Sequence, residues 1–339
     1  MTRSIRSTLA ATAVLLCCTG AGAQTAVLYG LVDASGARVK PIGGDWRYEL
    51  DSGNMQRSFI GLRGSDDLGG GLRAVFKLES YMRVDTGGAG RSDSDGFWTR
   101  EASVGLSGAF GTTVLGRNPT PLYLATINFN PFGESSGFSP AARQYYGANG
   151  AMLGDSRWNN SISYTNNASD APLRIRFAAN LPESAPRVPE PGRNFGASVA
   201  YVNGPFAVVG ALERIKNSPL ALPAAFKQQI AAQIGATYDF QFVRVYGQAG
   251  RVKTDAALVE KSTIYELGAA VPIGAGLILV SHGRVHKRSQ LAGTTDRTTS
   301  LGYDYFLSKN TDIYVTALHE KLSFVSSGAS FAGGVRMRF

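Results

Sequence analysis

Cysteine occurs only as Cys17 and Cys18, charged residues make up just 17% of the chain, and histidine is limited to His282, His286 and His319. Past the first two dozen positions a disulfide, a thiolate metal site and a thiol nucleophile are therefore all excluded. No later window approaches the roughly 18 uninterrupted apolar residues of a membrane-crossing helix. His282 and His286 are spaced i, i+4, which shares a face only on a helix, and residues 280–286 read as a strand, so no metal site is expected. There is no G-x-S-x-G elbow and no Ser/His set on one face, so an enzyme is not expected. The formal charge of +9 comes from 34 basic against 25 acidic residues. The basic residues alternate along the chain without clustering, which argues against nucleic acid as a partner.

What is present begins with a leader. Residues 1–6 carry Arg3 and Arg6, a short apolar run follows over 8–18, and Ala21-Gly-Ala23 closes it. A basic start, a greasy core and an A-x-A ending are the parts of a secretory signal peptide, so 1–23 is expected to be removed and 24–339 to form one domain.

Within that domain the dominant signal is alternation. Leu72, Ala74, Phe76 and Leu78 are apolar, whereas Arg73, Lys77 and Glu79 occupy the intervening positions. Period two places these sets on opposite faces of a strand. The last residues repeat the pattern, with Phe331, Val335, Met337 and Phe339 on one face and Arg336 and Arg338 on the other. Short turns such as 65–70, 107–111 and 308–310 alternate with longer polar connectors at 85–96, 118–156, 181–193, 215–229, 253–262, 286–297 and 321–328. That rhythm predicts an all-β fold: a closed antiparallel transmembrane β-barrel of about sixteen strands with short periplasmic turns. Closure is required because unpaired edge groups cost several kcal/mol each in hydrocarbon. A barrel of that width leaves a lumen too wide for side chains to fill, so water occupies it.

These features resemble the Gram-negative general diffusion porins, in particular the betaproteobacterial branch. The resemblance is carried by LYGLVD at 28–33, GLRGSDDLGGGLRAVF at 61–76, VGLSGAFGTTVLGR at 104–117, NNSISY at 159–164 and the terminal Phe339. It implies an outer-membrane homotrimer that needs no cofactor and passes small hydrophilic solutes and anions passively. It also implies a third external loop folded into the lumen, and Phe339 as the signal read by the barrel-assembly machinery. Outer-membrane lipid and lipopolysaccharide are the expected surroundings, with Lys and Arg near the outer loop bases meeting the phosphates. Three other readings are a solute-specific channel of the same fold, an outer-membrane barrel hydrolase and a soluble exported β-sandwich or solenoid.

The longest connector, 118–156, holds Leu122, Tyr123, Ile127, Phe129 and Phe132. Solvated loops seldom expose so many large apolar groups, so it is expected to fold inward. By the resemblance, its pore-facing positions include Asn130 and Glu134, and Arg100 and Arg157 hold places in an arginine ladder on the opposite wall. The ladder's other place falls on Phe59, with Arg57 on the same strand face about 7 Å away. Arg57, Arg63, Arg100, Arg157, Glu134 and Asn130 are thus the expected constriction, and Arg73 and Lys77 the lumen wall. Strand 97–107 conflicts with this, because Arg100 shares parity with Ala102, Val104 and Leu106, which read as lipid-facing. Several arginines facing one nearby carboxylate predict a weak anion preference.

Overall fold

A computed structural model describes residues 25–166, 172–181, 192–218 and 221–339; the expected leader 1–23 lies outside the described residues. The first strands are β1 (Thr25–Lys40), β2 (Arg47–Ser52), β3 (Phe59–Gly69), β4 (Leu72–Tyr81), β5 (Glu101–Gly108) and β6 (Gly111–Pro119). Two short helices follow, α1 (Pro121–Asn128) and α2 (Pro140–Tyr146). The wall resumes with β7 (Arg157–Thr165), β8 (Leu173–Asn180), β9 (Phe195–Asn203), β10 (Phe206–Ile215) and β11 (Gln228–Asp239). It ends with β12 (Arg244–Asp255), β13 (Glu260–Ile273), β14 (Gly276–Arg288), β15 (Gly293–Phe306), β16 (Thr311–Leu322) and β17 (Gly328–Arg338).

All seventeen segments join one antiparallel sheet that closes where β1 meets β17. β3 pairs with residues 25–31 of β1 and β2 with residues 34–39, so β2 and β3 are two lengths of a single stave and the barrel has sixteen. The break between them has a specific cause. The Asp33 carboxylate on β1 accepts the amides of Met55 and Gln56 at 3.1 and 2.7 Å, drawing 53–58 out of the ladder and into the lumen. The seam is completed by the last residue, since Phe339 exchanges backbone hydrogen bonds with Gly30 at 3.0 and 3.1 Å.

Alternation sets the two faces. On β10 to β17 polar residues such as Gln233, Gln248, Glu266, Ser281, Ser300 and Asp312 are buried inside, while Ile234, Leu267, Val280, Leu301 and Val315 are exposed outside. At the short-turn end Phe206, Tyr238, Phe240, Phe242, Tyr305 and Phe306 form an exposed aromatic girdle, the mark of a membrane–water boundary. The strands run further than their polarity suggests. Residues expected as loop over 253–262 and 286–297 are largely paired, with Lys253 opposite Lys261 and Arg288 opposite Gly293.

The connector 118–156 lies inside the barrel. Thr120 and Ser139 cap α1 and α2, each hydroxyl accepting an amide at 3.2 Å, and a proline follows each cap at a position that needs no donor. Leu122, Ala125, Phe129, Tyr145 and Met152 then share a buried apolar cluster with the wall residues Val209, Ile215, Val252, Ile264 and Val285. Wall glycines make the seat. A Cβ on Gly268 would collide with the Pro131 ring at 2.7 Å, and one on Gly250 would run into the Tyr145 hydroxyl.

Candidate functional site

With the loop seated against the far wall, its free edge faces β2 to β7 across the lumen. Two cavities of about 640 and 930 Å³ lie on either side of that approach, and Tyr123, Glu134 and Arg157 line both. These three residues therefore stand where the two cavities meet, at the eyelet between loop and wall.

Glu134 is the loop's contribution. Its carboxylate accepts from Arg100 at 3.0 Å, the Gln56 amide at 2.7 Å and the Tyr123 hydroxyl at 3.2 Å. Burial alone would raise the Glu134 carboxyl, but Arg100, Arg157, the Gln56 amide and the Tyr123 hydroxyl together hold it below the usual carboxylate range. Arg100 also binds Glu79 at 2.5 Å and stacks over the Phe59 ring, whose centroid is 4.0 Å away. Arg157 differs. Its guanidinium donates to the Arg100 carbonyl at 2.6 Å and to Ser156 Oγ at 3.1 Å, and sits over the rings of Tyr123 and Tyr81 at 4.9 and 5.3 Å. It has no carboxylate within ion-pair distance among the described residues.

Nearer the long-loop end, Asp155 bridges Arg91 at 3.1 Å and Arg117 at 2.8 Å. Burial raises the Asp155 carboxyl, and the two guanidinium groups outweigh it and hold it low. Arg57 lines the 930 Å³ cavity with Arg91, Tyr81 and Arg157; it makes no ion pair among the described residues, though Asp51 lines the cavity beside it.

Each sequence expectation can now be placed. Arg100, Arg157 and Glu134 meet at the eyelet. Arg57 stands above it, and not at a regular strand spacing, because 53–58 has left the ladder. Arg63 is not at the constriction. It is exposed on β3, four residues below Phe59, or about 13 Å along the strand, with its guanidinium 4.8 Å from the Tyr29 ring centroid. Asn130 is not pore-lining either. It is buried inside the loop, donating to the carbonyls of Thr126, Ile127 and Gly133 and accepting from the Phe132 amide, so it shapes the turn after α1. Lys77 faces the lumen and pairs with Glu101 at 3.2 Å, and Arg73 is exposed near the short-turn end.

The parity conflict at Arg100 resolves physically. β5 begins at Glu101, with Ser103 inward and Val104 and Leu106 outward; Arg100 lies just before the strand, where the chain is free to turn its side chain inward. The picture of several arginines around one carboxylate is also corrected, since Glu79 and Glu101 stand on the same wall. Glu79 shares the parity of Lys77 on β4, and Glu101 has the parity opposite to Val104 and Leu106 on β5, so alternation alone could have placed them. Arg176 lines the 640 Å³ cavity from β8, and the same rule reaches it, since Leu173, Ile175 and Phe177 alternate with Arg174 and Arg176.

A model of the Gram-negative porin family matches residues 10–323. The chain belongs to that family. It is 33% identical over 319 residues to outer membrane porin protein 32 of Delftia acidovorans, covering 91% of this chain and 88% of the relative. Its fold superposes with a TM-score of 0.79 on an anion-selective porin from Comamonas acidovorans, at 27% identity over 93% of this chain and all of that one. An in-vitro folded trimer form of Vibrio cholerae OmpT shares the fold with a TM-score of 0.71 at 14% identity. This porin is thus an outer-membrane channel for passive diffusion and not an enzyme, and its short turns face the periplasm.

Proposed function

We propose that this porin is weakly anion-preferring and works as a homotrimer after loss of residues 1–23. The carrying observation for selectivity is the pairing at the eyelet: Glu79, Glu134 and Asp155 are each held by arginine, whereas Arg157 has no carboxylate within ion-pair distance among the described residues; Asp51 and Asp296, further along the larger cavity, are likewise without a basic ion-pair partner and oppose it, which keeps the preference weak. Charges behind a low-dielectric wall project into the water they enclose, so the surplus sign sets the preference. The Comamonas relative described as anion-selective has the same fold. Reversal potentials of refolded protein in a potassium chloride gradient test this; cation preference overturns it.

Support for the trimer lies on the outer face at the seam. Gly36 on β1 is directly opposite Gly333 on β17, and the two form the floor of an outward groove flanked by Tyr48, Leu50, Val315 and Phe331. Tyr48 and Leu50 are 81% and 70% exposed, so the groove is well shaped to take side chains of a second copy. Leu50→Arg should convert the native-gel trimer to monomer, and an unchanged trimer refutes this contact.

A further inference from the structure

The 640 Å³ cavity, on the short-turn side of the eyelet, has two unlike sides. On the loop side α1 presents Leu124 and Ile127, three residues apart, with Pro131 just beyond the helix. Leu124 and Ile127 do not seat the loop. The residues that do, Leu122, Ala125 and Phe129, are buried against the wall on the opposite face of the helix. Leu124 and Ile127 stay half-buried and line the cavity, where polar residues would serve the seat equally well. From the wall below, β14 turns Leu277 inward, although alternation around a water column calls for a polar residue there. Its cross-strand neighbour Asp304 on β15 obeys that rule, and Leu277 does not. The three side chains form an apolar ledge that the passage of water and chloride does not require.

The other side is charged. Lys77, Arg100, Arg157 and Arg176 line it. The three carboxylates around the cavity are all held: Glu101 by Lys77 at 3.2 Å, Glu134 by Arg100 at 3.0 Å and Asp304 by Arg336 at 2.7 Å. Arg157 and Arg176 are left over, neither making an ion pair among the described residues. Ser163 on β7 also lines the cavity, and its buried hydroxyl has no hydrogen-bond partner. What this side lacks is one anionic group. The volume falls within the range of sites that enclose small organic ligands.

We propose that this cavity is a binding site for monocarboxylates with a compact apolar body, aryl or branched alkyl, the carboxylate meeting Arg157 and Arg176 and the body lying on Leu124, Ile127 and Leu277. The site deepens the anion-preferring reading and rests on it. Chloride and acetate use the charged side alone. A polar dianion brings its second charge against the ledge, where it gives up water and gains no partner. Contact with the ledge contributes in proportion to the apolar area it covers, so an anion of this class is retained where a polar one passes.

The test is block of single-channel chloride current at pH 7, in refolded protein, by benzoate, acetate, succinate and the neutral benzamide. Wild type should show saturable block by benzoate, half-complete at a concentration about tenfold or more below that for acetate or succinate, and no block by benzamide. Ile127→Asn should reduce benzoate to the level of acetate in the same channel, a comparison that does not depend on that channel's open conductance. Leu124→Gln should do the same and replaces Ile127→Asn if that variant does not refold. Arg176→Gln should weaken benzoate block about threefold. Benzoate no stronger than acetate or succinate in wild type, benzamide as strong as benzoate, a benzoate advantage that survives both loop substitutions, or no effect of Arg176→Gln overturns the proposal. Any of these in a channel that still prefers anions leaves the selectivity reading standing, whereas cation preference in the salt gradient overturns both.

Discussion

Arg157→Gln isolates the charge that the pairing pattern leaves over. Glutamine can still donate to the Arg100 carbonyl, so the change removes mainly the charge behind the rings of Tyr123 and Tyr81. For an ion taken at a nominal separation of about 6 Å from that guanidinium, two unit charges in water interact by about 0.7 kcal/mol. Screening at a tenth molar salt, with a Debye length of about 10 Å, roughly halves this to about 0.4 kcal/mol. The effect has opposite sign for chloride and potassium, so the difference is about 0.8 kcal/mol and the anion-to-cation permeability ratio should fall about fourfold. The lower dielectric of the wall makes this a minimum.

The assay is the reversal potential of single refolded channels in a potassium chloride gradient. Arg157→Lys should retain the wild-type ratio, because it keeps the charge and loses only the planar fork. The outward-facing Arg284→Gln serves as the control for net charge. A ratio unchanged in Arg157→Gln, or moved equally by Arg284→Gln, would refute the claim that unpaired lumen charge sets selectivity.

Three further outcomes follow from the same geometry. Glu134→Gln should raise the anion-to-cation ratio by about the same fourfold factor, read in the same assay. Because the Glu134 and Asp155 carboxyls are depressed, their ion pairs are fully present above the ordinary carboxyl value and are lost only as pH falls through the lower folded value; the difference in reversal potential between wild type and Glu134→Gln should therefore stay constant from pH 8 to 5 and vanish only below about pH 4. Gly250→Val should press α2 away from the wall through Tyr145 and lower unitary conductance, whereas an unaltered conductance would show that the seat is loose. Phe339→Ala should keep the backbone pairing with Gly30, so protein refolded in detergent should conduct normally while the amount assembled in cells falls steeply; normal assembly in cells would remove Phe339 as the signal.

The sixteen staves were legible because lipid outside and water inside impose period two on every one of them. The errors fall where that rule stops acting. At 53–58 the chain obeys Asp33, a residue on another strand, and no local pattern reports a carboxylate twenty residues away. At Arg100 the parity rule was applied one residue past the end of a strand. Asn130 was placed at the pore from its position in a motif, but an amide that both donates and accepts serves equally well inside a turn. Above the hydrocarbon the strands of β12 to β15 are polar on both faces, so they read as loops although the ladder continues.

The eyelet joins two uses of charge that compete. A carboxylate held by two or three donors anchors the loop, but each such pair cancels its own field at a distance. Glu134, Glu79 and Asp155 are engaged in this way by Arg100, Arg91 and Arg117, which ties the loop to the facing wall. Selectivity needs the reverse, a charge left without its counter-ion, and a buried unpaired guanidinium is costly unless something else stabilises it. Arg157 meets that need with uncharged partners: a carbonyl, a hydroxyl and the faces of two tyrosine rings solvate the cation without neutralising it. The aromatic residues at the eyelet therefore do more than narrow it. They let a positive charge stand in the wall while its field still reaches the water, which is why removing Tyr123 or Tyr81 should weaken the hold on Arg157 before it widens the pore.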